Sequence, residues 1–235
     1  MRTLNKIVLS ISLCCFWTIS IAQTQKDYGI CYSLEDAFSH KEEVHTLRLR
    51  NNKKLTEIPS EIGQLKNLKI LDVSGTNLSH LPEEISECKN LEEITANASK
   101  FKSIPNSIGD LNKLKILNFS YNQIEIIPNS ISNCINLERL SLGGNRIKTI
   151  PEGFGELENV GFCDLSRNEL TEFSLELTKL KSVYNLWLHE NQIELIPVEI
   201  ENLKKLTHLL IDEKEIKNLE KIKKILPELR IIDED

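Results

Sequence analysis

The stretch LKILNFSYNQIEIIPNSI, residues 114–131, holds the architecture of the chain in miniature. Leu117-Asn118-Phe119 alternates apolar, polar, apolar, the period-two pattern of a strand with one buried face. Asn122 follows where the chain must leave that strand, and its amide can both donate to and accept from backbone groups that the turn leaves unpaired. Ile127-Pro128 then opens a return, because a missing N–H costs nothing where a helical turn begins. Ile131 closes the core from the far side. One strand and one short return form a unit that cannot bury its apolar face alone.

The unit recurs along nearly the whole chain. Its leading apolar residues are Val44, Leu68, Leu91, Leu114, Leu137, Val160, Val183 and Leu206, spaced by 24 residues once and by 23 thereafter. The extra residue lies in Asn52-Lys53-Lys54-Leu55. Asparagine recurs at Asn52, Asn122, Asn145, Asn168 and Asn191, with Thr76 and Ser99 filling that place less completely. Proline recurs at Pro59, Pro82, Pro105, Pro128, Pro151 and Pro197, followed in most units by a core isoleucine: Ile62, Ile85, Ile108, Ile131 and Ile200. Self-similarity at this period is the mark of a solenoid, in which each unit contacts its neighbours and the ends need caps. Ser33-Leu34-Glu35-Asp36 reads as a helix start with Leu34, Ala37 and Phe38 as its apolar stripe. At the other end Lys214 replaces the ladder asparagine, and Asn218 starts a helix with Leu219, Ile222, Ile225 and Leu226 turned inward.

The pattern resembles the leucine-rich-repeat family, in particular its 23-residue class with an Ile-Pro-x-x-Ile return, the Ras-suppressor-like and bacterial type. The match spans residues 44 to 232, and exported bacterial members resemble it most. The resemblance implies an α/β repeat fold: a right-handed leucine-rich-repeat solenoid with a concave parallel β-sheet and short helical or 3-10 returns on the convex side. It also implies protein–protein recognition. Four segments follow: a signal peptide at 1–22, an N-terminal helical cap at 23–43, about eight repeats at 44–217, and a helix and half-repeat cap at 218–235.

Composition has the balance of a soluble globular chain. The 235 residues carry a formal net charge of −6, with lysine and glutamate interleaved and no basic stripe, which argues against nucleic acid. Arg2 and Lys6 precede an uncharged apolar run, Ile7 to Ala22, ending in Ser20-Ile21-Ala22, so cleavage is expected after Ala22. A membrane anchor is the rival reading, but a span needs about 20 residues. Cys14 and Cys15 lack the small preceding residue of a lipoprotein signal. The mature chain, at −8 once Arg2 and Lys6 are gone, is expected to be secreted, periplasmic or on the cell surface, monomeric and without a membrane span. Cys88 and Cys134 stand two repeats apart, about 10 Å, beyond disulfide reach. Cys163 occupies a core leucine position, and Cys31 is expected outside the repeat register.

No catalytic motif is present, and the chain is expected not to be an enzyme and to need no cofactor or metal. Gly143-Gly144 reads as a repeat turn with two exposed positions. His189 and His208 fall on adjacent strands, where they could share a metal with Glu190 or Asp212, but surface histidines are the plainer reading. The outward strand residues form the concave floor. One row is Arg48, Asp72, Thr95, Asn118, Ser141, Asp164, Trp187 and Leu210; the other is Thr46, Ile70, Glu93, Ile116, Arg139, Phe162, Asn185 and His208. Beyond the strand lie Ser120, Gly143, Ser166 and His189, with Tyr121 and Arg167 one step further. The late repeats concentrate exposed aromatics amid polar residues, as binding hot spots do. The expected contact residues are Phe162, Trp187, His189, Asn185, His208, Leu210, Tyr121 and Arg167, engaging a host or cell-surface protein. The alternative is a structural or self-associating envelope component without a specific ligand.

Overall fold

The computed structural model describes residues 29–232; the signal peptide expected at 1–22 and the acidic tail Asp233-Glu234-Asp235 lie outside the described residues. Ten short strands form one parallel sheet in strict sequence order. They are β1 (Ile30–Cys31), β2 (Thr46–Arg48), β3 (Ile70–Asp72), β4 (Glu93–Thr95), β5 (Ile116–Asn118), β6 (Arg139–Ser141), β7 (Phe162–Asp164), β8 (Asn185–Trp187), β9 (His208–Leu210) and β10 (Arg230–Ile232). The register repeats the sequence period: Leu47 faces Leu71, Leu71 faces Ile94, and so on through Leu140, Cys163, Leu186 and Leu209 to Ile231. These middle residues point inward, and those from Leu47 to Leu209 are buried.

Short 3-10 helices return the chain opposite the sheet, at Ser60–Gln64, Glu83–Glu87, Asn106–Asp110, Asn129–Asn133, Phe154–Glu156, Leu177–Lys179 and Val198–Asn202. Where proline precedes them it is the capping residue, with φ between −62° and −71°, and its carbonyl accepts the first helical bond, as from Ile62 N to Pro59 O at 3.0 Å. Phe154 and Leu177 take the core place of the isoleucine in the two irregular units.

The asparagine ladder forms in the middle of the stack. Asn145 Oδ1 accepts from Ile124 N at 3.0 Å, while its Nδ2 donates to Phe119 O at 3.0 Å and Leu142 O at 2.8 Å. Asn122, Asn168 and Asn191 repeat this arrangement. Asn52 does not. It is exposed and its Oδ1 accepts only from Lys54 N in its own turn, because the unit upstream is a capping helix rather than a full repeat. At the far end Asn218 supplies a different tie, accepting from Ile196 N and donating to Ile196 O, instead of capping its helix with its side chain.

Both caps contain the expected helices. Helix α1 (Leu34–Ser39) begins at Ser33, whose Oγ accepts from Asp36 N at 3.1 Å, and buries Ala37 with Leu34 and Phe38 beside the core. Helix α2 (Leu219–Ile225) buries Ile222, with Leu219, Ile225 and Leu226 packed against the core. Cys31 departs from expectation. It lies in β1, opposite Leu47, and is buried, so it belongs to the inward row. Only 16 residues separate the two positions, too few for the 23-residue period to reveal.

Candidate functional site on the concave face

The register places the two outward rows as the sequence implies. Thr46, Ile70, Glu93, Ile116, Arg139, Phe162, Asn185 and His208 stand side by side, as do Arg48, Asp72, Thr95, Asn118, Ser141, Asp164, Trp187 and Leu210. The sheet carries both one strand further, to Arg230 and to Ile232, whose side chain is exposed.

Phe162 and Trp187 come together, diagonally across β7 and β8. Their ring centroids lie 4.9 Å apart at 74°, an edge-to-face pair. The Arg139 guanidinium sits over the Phe162 ring, 4.5 Å from its centroid. Phe162 is therefore only 8% exposed, a correction to the expectation of an open aromatic: its neighbours on the floor cover it. His189 is likewise buried at 3%, with its ring centroid 6.3 Å from that of Trp187. Trp187, Asn185, His208 and Leu210 are half-exposed. The accessible apolar surface here is Trp187 with Leu210 and Ile232, the end of one row.

His189 and His208 are not brought together. His208 is in register with Asn185, four residues before His189, an offset of about 13 Å along the strand. Among the described residues no cluster of three histidine, cysteine or acidic groups could hold a metal.

Tyr121 and Arg167 belong to a second feature, along the edge where the strands end. Tyr121, Arg167 and Glu190 all adopt left-handed φ, at 56°, 53° and 52°, and Gly144 holds the same place at 70°. The Tyr121 ring lies across Gly144, where a Cβ would come within 2.6 Å of it. Arg167 donates from Nη1 to Tyr121 Oη at 3.4 Å and from Nε to Glu190 Oε1 at 2.7 Å, and Glu190 N donates to Asp212 Oδ2. Gly143 is buried, not exposed: the Asp164 carboxylate stands 2.8 Å from where its Cβ would be. The pair of glycines thus gives passage to two side chains from neighbouring units. Reasoning from sequence missed Arg139 and Ile232 as site residues, although counting in register from Phe162 and Leu210 leads to both.

All four cysteines among the described residues, Cys31, Cys88, Cys134 and Cys163, are buried. Burial pushes Cys88 up to about 11 and Cys134 up to about 12, and raises Cys163 further. Cys88 and Cys134 donate to Ile62 O and Ile108 O.

Family profiles match two segments: "Leucine rich repeat" at residues 42–101, and "Leucine Rich repeats (2 copies)" at 112–159. The chain belongs to the leucine-rich-repeat family. A leucine-rich-repeat protein of Leptospira interrogans is 33% identical, with 84% of this chain and 56% of that one covered and a TM-score of 0.70. The ectodomain of the Arabidopsis thaliana receptor kinase GASSHO1/SCHENGEN3, solved in complex with Casparian strip integrity factor 2, is 29% identical. It covers 84% of this chain and 25% of its own, with a TM-score of 0.70. An internalin of Listeria monocytogenes, at 19% identity, 86% and 59% coverage and a TM-score of 0.70, shares the fold. This leucine-rich-repeat chain spans under two thirds of each. No curated protein sequence matches it. Among the described residues no helix is long and apolar enough to cross a membrane.

Proposed function

We propose that this leucine-rich-repeat protein is exported and binds another protein through its concave face, without catalysis and as a monomer. The observation that carries this reading is the Phe162–Trp187 pair, with Arg139 over the Phe162 ring, on a floor whose other outward residues are mostly polar or charged. A rigid aromatic anchor rimmed by Arg139, Asn185, His208 and the Tyr121–Arg167 rail has the composition of a binding hot spot. Leu210 and Ile232 extend its apolar area to the last strand. The plant receptor named above was solved in complex with Casparian strip integrity factor 2, which favours a protein or peptide ligand for this chain as well.

The test is capture of a partner by the protein from host extracellular material and from the source organism's own envelope. Binding of the captured protein is then measured for Trp187→Ala and for Phe162→Ala. A loss of about 2 kcal/mol or more in each, with non-additive behaviour in the double variant, supports the anchor. Concentration-dependent oligomers with no captured partner would move the assignment to a self-associating envelope component.

A further inference from the structure

The concave floor carries a second period, twice the length of the repeat. Ile70-Leu-Asp72-Val-Ser74, Ile116-Leu-Asn118-Phe-Ser120 and Phe162-Cys-Asp164-Leu-Ser166 share one pattern, 46 residues apart. In each, the Asp or Asn Oδ1 accepts from the serine N–H, at 3.1, 3.0 and 3.0 Å, so the three strand ends are built alike. The strands between them place Glu93 and Arg139 where the others place Ile70, Ile116 and Phe162. One row therefore reads apolar, acidic, apolar, basic, apolar. Ile70 and Ile116 are half-exposed and flank a notch of about 190 Å³ walled by Lys69, Glu92, Glu93 and Lys115. The third apolar place is Phe162, which the Arg139 guanidinium overlies and the Trp187 ring meets edge to face.

Parallel strands stand about 4.8 Å apart, so the apolar places recur at about 9.6 Å, and less at the side-chain tips of a concave sheet. A polyproline-II segment crossing the strands presents one side every third residue, at about 9.3 Å. An α-helix presents one side at about 10.5 Å over seven residues, and curvature worsens that mismatch. An extended strand returns to the same side at about 6.8 Å and misses the interval. A polyproline-II backbone also leaves its carbonyls and amides unpaired. Beside it the second row offers Asn118 and Ser141, while the Thr95 hydroxyl donates to Glu93 Oε1; the strand-end turn engages only the side-chain oxygen of Asn118.

We infer that the floor from β3 to β8 takes a polyproline-II segment of a partner, with an apolar residue at every third position. A basic residue lies over Glu93 in the first interval and an acidic residue over Arg139 in the second. This rests on the concave face being the binding surface and specifies what binds there.

The probe is the acetylated, amidated peptide Leu-Lys-Pro-Leu-Glu-Pro-Leu, titrated into the protein by calorimetry. Two controls accompany it: Leu-Glu-Pro-Leu-Lys-Pro-Leu, with the charges exchanged, and Leu-Lys-Leu-Glu-Leu-Lys-Leu, with period two. The first peptide should bind best, and Ile116→Ser, an outward change on β5, should weaken it about tenfold. Exchanging the charges on the protein, Glu93→Lys with Arg139→Glu, should make the charge-exchanged peptide the tighter ligand. Equal or tighter binding of the period-two peptide overturns the inference, as does the absence of saturation by the first peptide at millimolar concentration. If the peptides fail while a captured partner still depends on Trp187, only this inference falls. If that dependence fails too, the concave-face reading falls with it.

Discussion

Replacing Asn145 with leucine tests the ladder that holds neighbouring units in step. The side chain is 8% exposed and bonds to both the preceding unit, at Phe119 and Ile124, and its own, at Leu142. Loss of the amide does not orphan all three backbone groups. Phe119 O still accepts from Asn122 Nδ2 at 2.9 Å, and Leu142 O from Asn168 Nδ2 at 3.1 Å. The Ile124 N–H, in a fully buried residue, keeps no such second partner. One unsatisfied buried donor costs about 1–3 kcal/mol, and two weakened carbonyls bring the expected loss to about 2–3 kcal/mol. Since the bonds cross a unit boundary, the unfolding transition should also broaden as the stack divides into two less coupled halves. Urea denaturation followed by far-ultraviolet circular dichroism measures both effects. Asn52→Leu is the internal control: that residue is exposed and bonds only within its turn, so the midpoint should move by less than about 0.5 kcal/mol. Equal shifts for the two variants would refute the reasoning, because the two residues share a repeat position and differ in their burial and in the bonds they make.

Three other outcomes follow from the geometry. The buried thiols of Cys88 and Cys134 stay protonated in the fold up to about 11 and 12, against an ordinary 9.0, so the unfolded chain loses those protons first. Stability from them is complete below pH 9 and drains away between pH 9 and about 11 to 12, by up to about 1.4 kcal/mol per thiol per pH unit; Cys134→Ala should flatten that limb of the stability curve. Gly144→Ala forces a side chain into left-handed φ and against the Tyr121 ring, and should cost about 1–2 kcal/mol by thermal unfolding while raising the solvent quenching of tyrosine fluorescence. Trp187→Ala uncovers the Phe162 ring and forfeits an edge-to-face pair, so its stability cost should be about 1–2 kcal/mol rather than negligible, still leaving a folded protein by circular dichroism.

The backbone of this molecule is legible in its sequence because each unit reports the same few constraints. The inward leucines, the ladder asparagines and the Ile-Pro returns each depend on the chain's own local path, so a 23-residue period reveals them all. What escaped depends on contacts between units or on a broken period. Cys31 joins the inward row across a shortened spacing, and one residue in a two-residue strand gives no alternation to detect. Asn52 holds the ladder position without its function, since the missing partner belongs to the unit upstream. Phe162 is outward, as its alternation requires, yet sheltered by residues on the strands to either side, Arg139 and Trp187. Outward and accessible are different properties on a floor whose strands lie closer together than an aromatic ring is wide.

The strict order of the ten strands has a mechanical consequence. Among the described residues no strand bonds to any but its neighbours in sequence, so no strand pairing spans the arc from one end to the other. Such a body behaves like a leaf spring: it flexes by small rotations shared among its joints, and under tension it peels from its ends one coil at a time. A ligand lying across several strands would act as a tie-bar, fixing the curvature and resisting that peeling. Occupancy of the concave face would then register at the far caps, through stiffness alone.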